Sequence, residues 1–297
     1  MISIAGTIVP VLFLGSGTNI AHAGPVGAML IYTIIGAVVC NIVLAVSEMA
    51  LLPLSGGIVR YTELFVDPAL SFAIGWNQVH SGLVDTPGEI IACRCNPRPV
   101  VVTINKAVWI AVFGSLIILS TLVFIRVYRE VEFIFTSLKI CLIIIVNVVA
   151  LVVTCGDGPN HVATRFKYWK NPGPFVQYLG VKGGFWTTFS NAAYAYAGSD
   201  SIVVAAAKTR NPRQTIPHAA EHVFARVAIF YIVTIFFVGL LVPSNNQQLL
   251  TASGAEASPF VIGAKTAKIP VLLNFINAIV ITSAWSSRNA GMLNNIH

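Results

Sequence analysis

A chain of 297 residues that is 56% hydrophobic and only 10% charged lacks the polar surface of a soluble globular protein, in which about a quarter of residues carry charge. Its net charge of +7 is scattered through the sequence without a dense basic run. That pattern excludes a nucleic-acid-binding face and leaves charges suited to loops and lipid headgroups.

Long uncharged stretches meet the requirement for crossing a bilayer, so the expected fold class is all-α integral membrane, multi-pass, with the lipid bilayer as its surroundings. Eight spans are expected, at about 2–20, 26–50, 68–92, 107–126, 132–154, 183–207, 224–243 and 269–288. The first reads "SIAGTIVPVLFLGSG" and is interrupted by Gly6, Pro10, Gly15 and Gly17. Ala21, His22 and Ala23 follow it and fit a leader-cleavage site, but no basic residue precedes the apolar run. The stretch therefore reads as a span entered inside the membrane, with the start of the protein missing. The second span is uncharged as far as Glu48, near its end. The third continues into a polar, proline-rich stretch with Asp85, Arg94 and Arg98. Divergence and damaged coding sequence both account for it.

The fourth span is uncharged up to Arg126, the fifth carries Lys139 well inside its apolar run, and the sixth carries Asp200. The connections 155–184 and 243–268 are long, rich in Pro, Gly and Asn, and fall on the same side of the membrane. Positive charge is nearly balanced between the two sides and mildly favours an N-terminus inside.

Catalytic and metal-binding patterns are weak. Cys93 and Cys95 have no second ligand pair, Cys40 and Cys141 lie within spans as small hydrophobes, and His218 and His222 lack the His-Glu-x-x-His order. No enzyme, no metal and no cofactor is expected, and neither a filter loop nor a ring of like charge suggests a channel.

The interrupted spans carry the functional signal. Proline removes a backbone donor, glycine weakens a helix, and unpaired backbone groups in hydrocarbon are tolerated only where protein or a wet cavity satisfies them. The first and sixth spans ("AYAYAGSDS" at 193–201) are the leading helices of two five-helix units, if such units exist. Matching interruptions there point to a substrate site at mid-membrane. An ionisable side chain at that depth costs at least about 2.5 kcal/mol and marks a pathway, a proton relay or a buried pair. Lys139 and Asp200 qualify, and a structural pair between them is an alternative.

These pieces resemble the yeast-type amino acid permeases of the amino acid–polyamine–organocation superfamily along nearly the whole chain. The likeness rests on "AGTI" and "LFLGSG" (5–17), "SEMALLPLSGG" (47–57), "FVDPALSFAIGWN" (65–77), "REVEFIFTSLK" (129–139) and "AYAYAGSDSIVVAAAKTRNPRQTIPHA" (193–219). The resemblance implies a leucine-transporter-like five-plus-five inverted-repeat fold in a twelve-span protein of the plasma membrane, here truncated at both ends. It implies proton-coupled symport of an amino acid by alternating access, with protons as the coupling ion. Gly6, Thr7, Ile8, Val9, Pro10 and Val11 would face Tyr194, Tyr196, Ala197, Gly198, Ser199 and Asp200 across the substrate. Tyr194 and Tyr196 would form an aromatic gate or pack against neighbouring helices. Lys139 falls on the position implicated in proton coupling, a role that suits an amine held out of water. Val9, Pro10 and Val11 replace the family's Gly-Thr-Gly, and Lys208 replaces an acid before the Asn-Pro-Arg loop. The alternative is a non-transporting remnant or interaction partner of a full-length permease.

Overall fold

The computed structural model describes residues 11–49, 56–93, 128–157, 163–176, 183–197, 228–251 and 258–266, and isolated positions at 108, 111, 112, 114, 115, 276 and 283. Among these residues the regular structure is helical throughout. In chain order the helices are α1 (Val11–Met49), α2 (Gly57–Phe65), α3 (Pro68–Cys93), α4 (Tyr128–Cys155), α5 (Lys167–Lys170), α6 (Gly183–Ala195), α7 (Ala228–Leu241), α8 (Gln248–Thr251) and α9 (Pro259–Thr266). Among the described residues, two stretches, Gly15–Met49 and Phe133–Cys155, are long and apolar enough to cross a membrane.

α1 is two helices joined at Gly24, whose φ of 79° and ψ of 168° lie in a region open almost only to glycine. The break lies between the spans expected at 2–20 and 26–50. Pro25 follows it, a position where a helix start loses nothing by lacking an N–H. The second arm, 25–49, is about 37 Å long at about 1.5 Å per residue.

A strap from the 155–184 connection covers the break. Val26 N–H donates to the Pro174 carbonyl (3.1 Å) and Val176 N–H to the Ala23 carbonyl (3.4 Å), so backbone groups left over at the joint find partners in the strap. Beside it Phe166, just before α5, and Trp169 of α5 lie against Phe236 of α7, their rings 6.4 and 5.5 Å from it.

The core lies where α1, α4, α6 and α7 meet, with Ile31, Leu142, Ala192 and Ile235 fully buried within it. α1 and α6 pack extensively against each other. Asn147 of α4 donates to Thr234 Oγ1 of α7 at 3.1 Å, a buried polar tie between two apolar helices. The outward faces remain apolar: Ile34, Val38 and Ile42 on α1, and Ile144, Val148 and Leu151 on α4, are exposed at helical spacing. Such stripes are what lipid, rather than water, accommodates.

Stretches read from sequence only as connections contain short helices. α8 and α9 lie within 243–268, with the Asn246 side chain accepting from Gln248 N–H (3.0 Å) at the start of α8. Leu249 and Ile262 are buried there against Ala21, Ala150 and Val242. α2 precedes α3 and packs on it, with Ser71 Oγ donating to the Val59 carbonyl (2.8 Å). Its Arg60–Glu63 pair, at 2.6 Å, is solvent-exposed and contributes little. α3 keeps Leu70, Phe72, Trp76 and Leu83 exposed.

Candidate functional site

The described part of the sixth span stops being helical where the sequence turns to "YAGSD". α6 ends at Ala195, and Tyr196 and Ala197 form a turn. Tyr196 N–H is shared between the carbonyls of Ala192 (3.3 Å) and Ala193 (3.2 Å), and Ala197 N–H reaches the Tyr194 carbonyl at 3.1 Å. This is the tightening by which a helix closes its last turn. The Ala195 carbonyl accepts from a side chain: Tyr231 of α7 donates its hydroxyl at 3.0 Å.

Tyr196 and the tyrosines of two other helices, Tyr32 of α1 and Tyr231 of α7, meet at this end. The rings of Tyr196 and Tyr231 lie 4.8 Å apart, and those of Tyr32 and Tyr231 lie 6.4 Å apart, edge to face. Tyr196 donates its hydroxyl to the Tyr32 carbonyl at 3.1 Å. Within a helix that carbonyl normally serves the amide four residues on, at Gly36, so the phenol takes its second lone pair. Gly36 makes the approach possible, since a Cβ there would lie 3.0 Å from the Tyr196 hydroxyl oxygen. The Tyr32 hydroxyl in turn accepts from Asn19 Nδ2 at 2.9 Å, across the joint between the arms of α1. We expect Gly36→Val to destabilise the fold by about 1–3 kcal/mol through overpacking, and Tyr196→Ala to recover much of that loss in the double variant. Thermal unfolding of the purified protein in detergent checks both, and a purely additive pair of losses would contradict the contact.

Lys139 sits on α4 and is fully buried, one helical turn from the core residues Leu142 and Ile143 and one turn from Thr136, also buried. An amine in such a position is built into the interior, not a lipid-facing charge reaching for the surface.

The amino acid permease profile matches residues 1–295. The chain belongs to the amino acid permease family. It is 36% identical to an amino-acid permease of Candida albicans over 98% of this chain and 48% of that protein. The same identity and coverage of this chain hold for a general amino-acid permease of Candida albicans, of which it covers 50%. A cationic amino acid transporter of Schizosaccharomyces pombe is also 36% identical, over 98% of this chain and 49% of that protein. The chain spans about half the length of the curated relatives it matches. A permease is a membrane transporter rather than an enzyme, and among the described residues no group of three metal-binding side chains occurs.

The expected interruptions fall only partly on described residues, and where the first span is described it is continuous helix through Gly15 and Gly17, the break coming at Gly24. Val11 is helical within α1, and Gly6, Thr7, Ile8, Val9 and Pro10 lie outside the described residues, as do Gly198, Ser199 and Asp200. Tyr194 is 44% exposed while Tyr196 is 3% exposed, so the two rings do not share one environment. Ala197 is exposed at the end of the turn. Cys95, His218 and His222 lie outside the described residues, as do Arg94, Arg98 and Lys208. Asn19, Tyr32 and Tyr231 are additions that the sequence reading missed. Only Asn19, an amide inside an apolar run, carried a signal that could have singled it out.

Proposed function

We propose that this permease carries amino acids across the plasma membrane by proton-coupled symport, alternating access around the interrupted first and sixth spans of a five-plus-five inverted-repeat fold. The observation that carries the reading is the end of α6 at Ala195, in mid-sequence of an apolar stretch that runs to 207. A helix that stops inside the bilayer presents backbone groups no lipid can satisfy, and an amino acid's carboxylate and ammonium are suited to them. Residues 6–11 and 194–200 supply those groups. Lys139 is the proton carrier, exchanging a proton as the two units move relative to each other. Its buried place on the fifth span supports this assignment.

The test is uptake into liposomes containing the reconstituted protein. An inwardly directed proton gradient should drive accumulation of a labelled amino acid mixture, and a protonophore should collapse it. Amino acid uptake indifferent to the gradient would remove proton coupling, and no amino acid binding or exchange at all would remove the reading.

A further inference from the structure

We propose that the strap over the first joint is a binding site for an anionic phospholipid headgroup, held by Arg165, Lys167 and Lys170. Such a site serves the membrane rather than the cargo, and it does not depend on transport.

Residues 163–176 carry these three cations and no acid. All three are exposed, and among the described residues none of them is in an ion pair. Asp157, the nearest acid in sequence, is exposed as well and pairs with none of them. α5 turns Phe166 and Trp169 toward Phe236 of α7. Lys167 and Lys170, also three residues apart, share another side of the same turn, where like charges repel. Arg165 sits at φ 40°, in the left-handed region that residues with a side chain avoid. Its amide closes the end of α4 on the Thr154 carbonyl at 3.1 Å, a task that glycine or asparagine would perform with less strain. A backbone outlier that presents a guanidinium beside two ammonium groups points to a ligand with negative charge.

Location decides what carries that charge. α4 ends at Cys155 and α6 begins at Gly183, so the strap lies between the ends of two spans and crosses the joint of a third. Phe166 and Phe175 of the strap and Trp186 in the first turn of α6 are 50, 55 and 70% exposed. Exposed rings at the ends of spans belong at headgroup level. A soluble anion would use the cations but has no use for the rings. Each Lys or Arg near such a surface favours anionic lipid by about fivefold. Lipid that holds the strap also holds the joint at Gly24, because the Pro174 carbonyl and Val176 amide bond to Val26 and Ala23 across it.

The test places the protein in nanodiscs of phosphatidylcholine, with and without phosphatidylglycerol. Amide exchange is read by mass spectrometry on peptides covering 163–176 and 22–28, with 140–150 of α4 as the control. Phosphatidylglycerol should slow exchange in the first two by about tenfold at low salt, the effect of three partly screened charges, and high salt should erase it. Replacing all three cations (Arg165→Gln, Lys167→Gln and Lys170→Gln) should abolish the lipid effect and leave 140–150 unchanged. Equal exchange in the two lipids overturns the site, as does a lipid effect that survives high salt or the triple variant. Glycerol phosphate added to phosphatidylcholine discs should protect neither peptide. If it protects the strap as the lipid does, the ligand is a free anion and the membrane assignment falls. A protected strap with unchanged exchange at 22–28 overturns the hold on the joint. If the triple variant does not fold, the lipid and salt comparisons on the parent decide alone.

Discussion

Lys139→Ala is expected to abolish proton-driven accumulation of amino acid while leaving membrane insertion intact. Insertion should not suffer, because a lysine at mid-span costs at least about 2.5 kcal/mol to place there, a penalty alanine does not carry. The residue is fully buried in α4 beside the core, so alanine also leaves a void. Lys139→Met keeps the volume and removes only the amine. Both variants should lose uptake against a gradient and retain exchange of labelled for unlabelled amino acid across liposomes, which needs no net proton movement. If Lys139→Met accumulates substrate as the parent does, the amine is not the proton carrier and its burial is a matter of packing.

Gly24→Ala should be the most damaging small substitution outside the transport path. The backbone there sits at φ 79° and ψ 168°, a region that costs a residue with a side chain about 1–3 kcal/mol. The new methyl would also lie 2.6 Å from the Pro174 carbonyl oxygen and 2.9 Å from the Phe175 Cα. These are backbone atoms, which cannot turn aside as a side chain can. Together the two effects are expected to destabilise the protein by about 3 kcal/mol. Thermal unfolding in detergent would register this as a drop of several degrees, and the strap should exchange its amides faster. An unchanged midpoint would show that the strap does not seal the joint.

The apolar runs were legible because lipid leaves few ways to write a span. The stretches containing 25–49, 133–155 and 228–241 are nearly free of charge, and each is helical. Gly24 and Pro25, which fall between the first two expected spans, make the stop and the new start by ordinary backbone chemistry. Helices α2, α5, α8 and α9 were not legible. They run four to nine residues, too short for a periodic pattern, and they are held by tertiary contacts such as Leu249 against Ala21. At the site, Tyr196 stood out for its place beside Gly198, and Lys139 for its charge. Tyr231 did not, because a tyrosine in "VAIFYIVTIFF" reads as one more large ring. Its meaning lies in a partner 36 residues away in sequence, the Ala195 carbonyl, and no local pattern encodes such a distance.

The strap has a consequence for which positions can vary. Its grip on the first joint runs through the Pro174 carbonyl and the Val176 amide, groups common to nearly every amino acid. A saturation scan should therefore tolerate almost any residue at 174, and at 176 anything but proline, which lacks the N–H. Across the joint, Gly24 should accept almost nothing. Two surfaces in contact would then show opposite tolerance, with one side recording its sequence history freely and the other held to a single residue.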